Sequence, residues 1–211
     1  WTRVKLIFIY SLIIHIFLAI ISKLFFIKYD ENKKKILRFV TIFSNFGFMG
    51  YPIVESIYGK IGVFYASIFG IPFNIILLTY GVFLFSEEAK DNLKIRNIVM
   101  QPGILFVVIG TVIFLFSIKL PIPINKTINM VGSMTTPLSM MIVGASFAGT
   151  SLMSMLKDFK LYYISFIRLL IVPFITYLLL RFIKADDYLL KLCVILEAMP
   201  AAAMTTVFAE M

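Results

Sequence analysis

The chain has 211 residues, of which 61% are hydrophobic and 15% charged, with a formal net charge of +9. A water-soluble domain of this length has too little interior for so much apolar surface, and its charged fraction is nearer a quarter, so a soluble globular class is excluded and lipid is the expected solvent. The basic excess does not indicate nucleic acid, because the Lys and Arg residues sit in short links between apolar runs and form no basic face with interleaved aromatics.

Apolar runs of about 20 residues, enough to cross the hydrocarbon core as a helix, recur along the chain. Ten-residue alternating strands do not, so the expected fold is an all-α polytopic membrane protein rather than a β-barrel. In chain order the first span is expected over 6–27, followed by a Lys-rich link over 28–38. The second covers 39–58, and a tight turn at Gly59–Lys60 opens the third, over 61–85. The longest polar link, 86–97, divides the chain into three spans over 1–85 and four over 98–211. Those four are expected over 98–118, 128–148, 161–182 and 188–211, with a link holding Pro121 and Pro123 after the first of them. Residue 1 is Trp, so the natural start is expected upstream, and no signal peptide is recognisable.

Positive charge gives a divided answer about sidedness. Lys28, Lys33, Lys34, Lys35, Arg38, Lys90, Lys94 and Arg96 place the first link and the long link in the cytoplasm. Lys119, Lys126, Arg181, Lys184 and Lys191 outnumber Lys157 and Lys160 and point the other way.

Two spans carry the means to interrupt themselves. The second contains Asn45-Phe-Gly-Phe-Met-Gly-Tyr-Pro52, and the seventh contains Glu197-Ala-Met-Pro200-Ala-Ala-Ala-Met-Thr-Thr206. Proline lacks an N–H and clashes with the preceding turn, so breaks are expected near Pro52 and Pro200, with Gly47 and Gly50 easing irregular backbone. A simple proline kink is the plainer reading of either one alone. As a pair they lie five spans apart, so their helices cross the bilayer in opposite directions. That is the pattern of an inverted-repeat secondary transporter, whose half-helix N-termini suit an anionic solute.

At this point the residues resemble the auxin efflux carrier family, which includes bacterial malate-permease-like proteins and plant auxin carriers. "SNFGFMGYPIVESIYG" from Ser44 resembles that family's Asn–x–Gly–x–x–Gly–x–Pro crossover helix with its Tyr-Gly turn. "QPGILFVVIG" from Gln101, "TTPLSMMIVGASFAG" from Thr135, "RLLIVP" from Arg168 and "ILEAMPAAAMTTVFA" from Ile195 resemble its later landmarks in family order. Phe46 departs from the pattern, where the family often has Thr. The resemblance implies ten spans in two inverted five-span halves. About seven of them are present here, with two crossover helices, so the chain is expected to be a fragment lacking the first two spans and the last. It also implies a multi-pass cell-membrane protein, a bacterial inner membrane setting, cytoplasmic placement of the 28–38 and 86–97 links, and a homodimer as an accessible assembly.

Candidate site residues follow from both lines. Asn45 lies near mid-bilayer, offers a donor and an acceptor, and occupies the position the family uses for substrate. Gly50, Pro52 and Pro200 complete the expected substrate-binding backbone. Arg168 lies inside the sixth span, where a charge is costly, so it is expected to counter a bound carboxylate, to pair with Glu197 or to snorkel toward the inner interface. Glu197 is correspondingly a partner of Arg168 or a carrier of a coupling proton. His15 is a proton carrier or, more plainly, a packing histidine. Glu55 reads as interfacial, and Asn125-Lys126-Thr127 matches a glycosylation acceptor close to a membrane.

The function expected is secondary transport of a small organic anion such as malate or an auxin-like carboxylate, by alternating access. A channel or membrane-embedded sensor is the alternative, followed by a membrane-embedded enzyme. One His, one Cys and no His-x-x-x-His spacing speak against the enzyme. Cys193 is alone, so neither a disulfide, a metal site nor a cofactor is expected.

Overall fold

The computed structural model describes residues 2–27, 29–85, 116–134 and 159–202, and positions 105–106, 109–110, 112–113, 137–138, 141, 144–145, 153, 157 and 205. The 86–97 link, parts of the expected fourth and fifth spans, and the chain beyond 205 lie outside the described residues. Among those described, the chain is helical, and three stretches are long and apolar enough to cross a membrane: Thr2–Phe25, Phe46–Phe85 and Phe159–Phe182.

The first helix, α1 (Thr2–Phe25), buries Ile7, Tyr10, Ser11, Ile14, His15, Leu18 and Ser22, a stripe at three- and four-residue spacing. Its opposite face exposes Phe8, Ile9, Leu12, Ile16, Ile20 and Leu24. Polar groups therefore face the protein and bare hydrocarbon faces outward, the reverse of a soluble helix. The stripe packs on α2 (Glu31–Ile42), α3 (Tyr51–Ile76), α7 (Val172–Phe182) and α8 (Asp187–Glu197).

The second expected span is two pieces. α2 ends at Ile42, Phe43 is extended, and a π-helical turn at Phe46–Gly50 leads into α3. The interruption thus falls at residues 43–45 rather than at Pro52, which sits in the first α-turn of α3. The missing N–H falls just past the widened π-turn, where the Tyr51 amide already reaches back to the Phe46 carbonyl, so the helix carries the proline without breaking. Pro173 repeats the arrangement, two residues past another π-turn, Ile167–Ile171, that joins α6 (Phe159–Phe166) to α7. The seventh span, by contrast, breaks where its proline stands: α8 stops at Glu197, and Pro200 and Ala201 are non-helical.

The Gly59 turn is present. Continuous helical bonding hides a reversal there, since Gly59 has φ 62 and ψ −162 while its neighbours are helical. That conformation suits a residue without a Cβ. Beyond it the third span runs through a π-turn at Leu77–Gly81 into α4 (Val82–Phe85). α5 (Ile122–Ser133) buries none of its residues against the described chain.

Two ends of the bundle can be distinguished. At one, Arg3 of α1 donates to Asp186 (3.1 Å), which also caps α8 by accepting from the Leu189 amide, and Tyr188 packs edge-on against Tyr58 and Tyr65. At the other, the Lys-rich link enters α2, Arg38 donates to the Tyr80 hydroxyl, and Phe39 meets Phe85. In that link Lys33 lies 3.0 Å from Asp30, and its hydrogen bond and charge hold the Asp30 carboxyl below its ordinary range.

The packing between α3 and the π-turn is close enough to test. A Cβ on Gly70 would sit 2.8 Å from Cζ of Phe46, whose ring is already fixed by Phe69, Phe73 and Tyr51. Gly70→Ala is expected to destabilise by about 1–3 kcal/mol through overpacking. Gly132→Ala, with no described atom within 4 Å, should be neutral or gain up to about 1 kcal/mol of helix propensity. Thermal unfolding of the detergent-solubilised protein checks the contrast.

Candidate functional site

The two interrupted helices meet at their breaks and exchange main-chain hydrogen bonds. The Asn45 amide donates to the Pro200 carbonyl (2.8 Å), and the Ala202 amide donates to the Phe43 carbonyl (3.0 Å). Ser44 and Ala201 form an antiparallel bridge. Irregular backbone at membrane depth must find its partners within the protein, and here each break supplies the other's. Gly50 lets the helices close: a Cβ there would lie 3.1 Å from the Leu196 side chain and 3.4 Å from Met199.

Arg168, in the π-turn of the sixth span and 2% exposed, completes the backbone account. Its Nη1 donates to the Thr41 carbonyl at 2.7 Å, Nη2 to the Glu197 carbonyl at 2.9 Å, and Nε to the Met199 carbonyl at 3.1 Å. Nη2 also meets the Glu197 carboxylate, 3.2 Å from Oε2. Thr41 belongs to the last turn of α2, and Glu197 and Met199 to the end of α8, where helices leave carbonyls without partners. One planar cation thus caps two helix C-termini, whose partial negative charge it also offsets.

The second oxygen of the same carboxylate points elsewhere. Glu197 Oε1 lies 3.2 Å from His15 Nε2, with both side chains fully buried. Among the described residues neither atom has another hydrogen-bond partner. The far nitrogen of the imidazole, Nδ1, is 2.6 Å from the Ser11 carbonyl. Aromatic rings surround the imidazole: Phe73 edge-on at 5.1 Å, Phe69 at 5.4 Å and Phe43 at 6.4 Å between centroids.

The structure therefore brings Asn45, Gly50, Pro200, Arg168 and Glu197 to one crossing. Pro52 stands apart on an exposed face, and Glu55 is exposed on the next turn. The Arg168 donors are largely committed to protein groups, which leaves one N–H on Nη1. Two residues, Ser44 and His15, gain a meaning that their sequence context hid. Ser44 Oγ is buried with no partner, and the Asn45 side chain, in a residue only 6% exposed, makes no hydrogen bond among the described residues. His15 joins Glu197 across the bundle, a pairing that Ser11 and His15, one turn apart on one face, only hint at. Among the described residues no group of His, Cys, Asp or Glu could hold a metal ion. A surface groove of about 470 Å³, lined by Tyr58, Tyr177, Arg181, Asp187 and Lys191, shares no residue with the crossing.

Apolar helices that bury polar groups and meet at paired breaks are those of a membrane protein. The chain belongs to the membrane transport protein family, whose model matches residues 1–211. This is the auxin efflux carrier family that the motifs resemble, and both the family and the relative below are described as transporters rather than enzymes. It is 25% identical over 210 residues to a protein of Methanocaldococcus jannaschii described as an uncharacterized transporter. The match takes in 95% of this chain and 66% of that relative, so the chain spans less than two thirds of the relative's length.

Because three of the Arg168 acceptors are main-chain carbonyls, a charge swap is not expected to work. Arg168→Met alone strands a buried carboxylate and should cost about 3–5 kcal/mol. Arg168→Glu combined with Glu197→Arg should fail to recover that loss, since a carboxylate cannot donate to carbonyls. Thermal stability of the single and double variants by size-exclusion chromatography after heating checks this; recovery in the swapped protein would show that only the charge pair matters.

Proposed function

We propose that this chain forms the crossing of a secondary carrier for a small organic anion, such as malate or an auxin-like carboxylate. The observation that carries the reading is the pair of buried residues at the break, Ser44 and Asn45, whose side-chain polar groups have no partner among the described residues. Buried polar groups ordinarily find partners, and a carboxylate could accept from both the hydroxyl and the amide.

The backbone around them favours a negative charge. Asn45 stands at the start of the helix that continues through α3, and the amides of Phe46, Gly47 and Phe48 have no acceptor within it. Those amides carry the positive end of the helix dipole. A Cβ on Gly47 would have no described atom within 4 Å, which leaves room beside them. The negative helix ends are occupied by Arg168, so the cation and the proposed anion site divide the crossing between them.

The antiparallel meeting of the breaks supports two inverted halves, and alternating access would move the surrounding helices about this crossing. In this reading the carrier is a multi-pass cell-membrane protein with the Lys-rich link on the cytoplasmic side.

The test is Asn45→Ala in proteoliposomes holding the full-length protein. Because the Asn45 backbone makes the crossing bond and its side chain makes none among the described residues, thermal stability should change little. Counterflow of radiolabelled malate should fall by about 10-fold or more, in line with the loss of one hydrogen bond to a charged group. Unchanged counterflow would remove Asn45 from the site.

A further inference from the structure

We propose that His15 and Glu197 together bind one exchangeable proton, and that this proton travels with the anion, making the carrier a proton–anion symporter. This rests on the carrier reading above and adds its coupling ion.

The proton count follows from the hydrogen bonds. Ser11 Oγ donates to the Phe69 carbonyl at 2.7 Å, which uses its only hydrogen. The Ser11 carbonyl can only accept, so His15 Nδ1, at 2.6 Å, carries a hydrogen toward it. If the imidazole is neutral, Nε2 then presents a lone pair to Glu197 Oε1 at 3.2 Å. Two facing lone pairs, fully buried and without other partners among the described residues, repel in a medium that screens poorly. One proton between them removes the repulsion, whether it rests on Nε2 as imidazolium–carboxylate or on Oε1 as imidazole–carboxylic acid.

The remaining neighbours define the charge. Arg168 holds Oε2 and stays protonated, and the buried Cys193 thiol lies one turn before Glu197 on α8. From α3 come the rings of Phe69 and Phe73, and from the end of α2 that of Phe43; α1 adds Ser11. Among the described residues these are the groups that face the pair. With the proton, Arg168, Glu197 and His15 sum to one positive charge; without it they sum to zero.

That charge adjoins the proposed anion site. Glu197 stands just ahead of Pro200, whose carbonyl holds the Asn45 amide, and Arg168 reaches the Thr41 carbonyl on the approach to Asn45. A positive cluster there favours a bound anion, and by linkage a bound anion favours the proton. His15 belongs to α1 and Glu197 to the crossover helix, so any rocking of one against the other changes their separation. Both are closed to water in this conformation, which ties proton exchange to the conformational change.

Proteoliposomes of the full-length protein with malate as probe and the membrane potential clamped at zero test this. Wild type should acidify an internal pH dye when malate is added outside. An inward gradient of one pH unit should drive about tenfold accumulation, the factor set by one proton per anion. His15→Gln and Glu197→Gln should lose both effects. As a readout that survives misfolding of either variant, infrared difference spectra of wild type between two pH values should show a buried carboxyl or imidazole changing protonation as malate binds. Malate counterflow without dye response or gradient-driven accumulation would overturn the symport and leave the carrier reading standing. Absence of counterflow would overturn the malate carrier reading and this inference with it.

Discussion

The guanidinium of Arg168 is the contact on which the centre of this protein depends. A helix that stops inside a membrane exposes carbonyls that neither lipid nor its own next turn can satisfy. Two such helices stop here, and the carbonyls of Thr41, Glu197 and Met199 all converge on one side chain. Lysine could supply the charge but not a rigid fork that reaches three carbonyls and a carboxylate at once. The π-turn that carries Arg168 suits this work, since a widened turn alters the direction of its side chain relative to a regular helix.

This use of Arg168 arranges the rest of the crossing. The C-terminal ends of α2 and α8 are negative and take up the cation, while the amides that begin at Phe46 have no acceptor within their own helix. In the proposed carrier reading, an anion and Arg168 therefore need not compete for the same place. The breaks also hold each other through the Asn45–Pro200 and Phe43–Ala202 bonds, so the crossing is a tied element about which other helices could move. The bare hydrocarbon outer face of α1, set against its polar inner stripe, suits sliding along lipid with the buried polar contacts kept inside the bundle.

Much of this was legible in the residues. Apolar run lengths located α1, the third span and the helix from Phe159 to Phe182, because the lipid sets a fixed length and a nearly uniform composition. The reversal at Gly59 was legible because its backbone conformation favours glycine. A buried arginine demanded a partner, which limited its choices to a ligand or Glu197. The place of the first break was not legible. Pro52 looks like a breaker in sequence, yet the helix that begins at Phe46 carries it just past a widened π-turn. The actual gap at Ser44 is fixed by a main-chain bridge to Ala201, a partner far along the chain. Carbonyl partners of Arg168 were equally hidden, since every residue has a carbonyl and only the fold selects three of them.

His15 shows why such concealment is physical rather than accidental. In sequence it is a lone histidine amid apolar residues, and packing explains that context as well as chemistry does. What separates the two is orientation. The Ser11 carbonyl fixes one nitrogen, and the rings of Phe43, Phe69 and Phe73 limit how the imidazole can turn. The other nitrogen is thereby aimed at Glu197. A histidine that only filled space would have no need for a carboxylate oxygen opposite its remaining nitrogen. In so dry a setting, that oxygen without a shared proton would be a repulsive neighbour. The aromatic box thus serves two ends. It supplies the packing that the sequence suggests, and it holds the geometry in which a single proton decides the charge of the crossing.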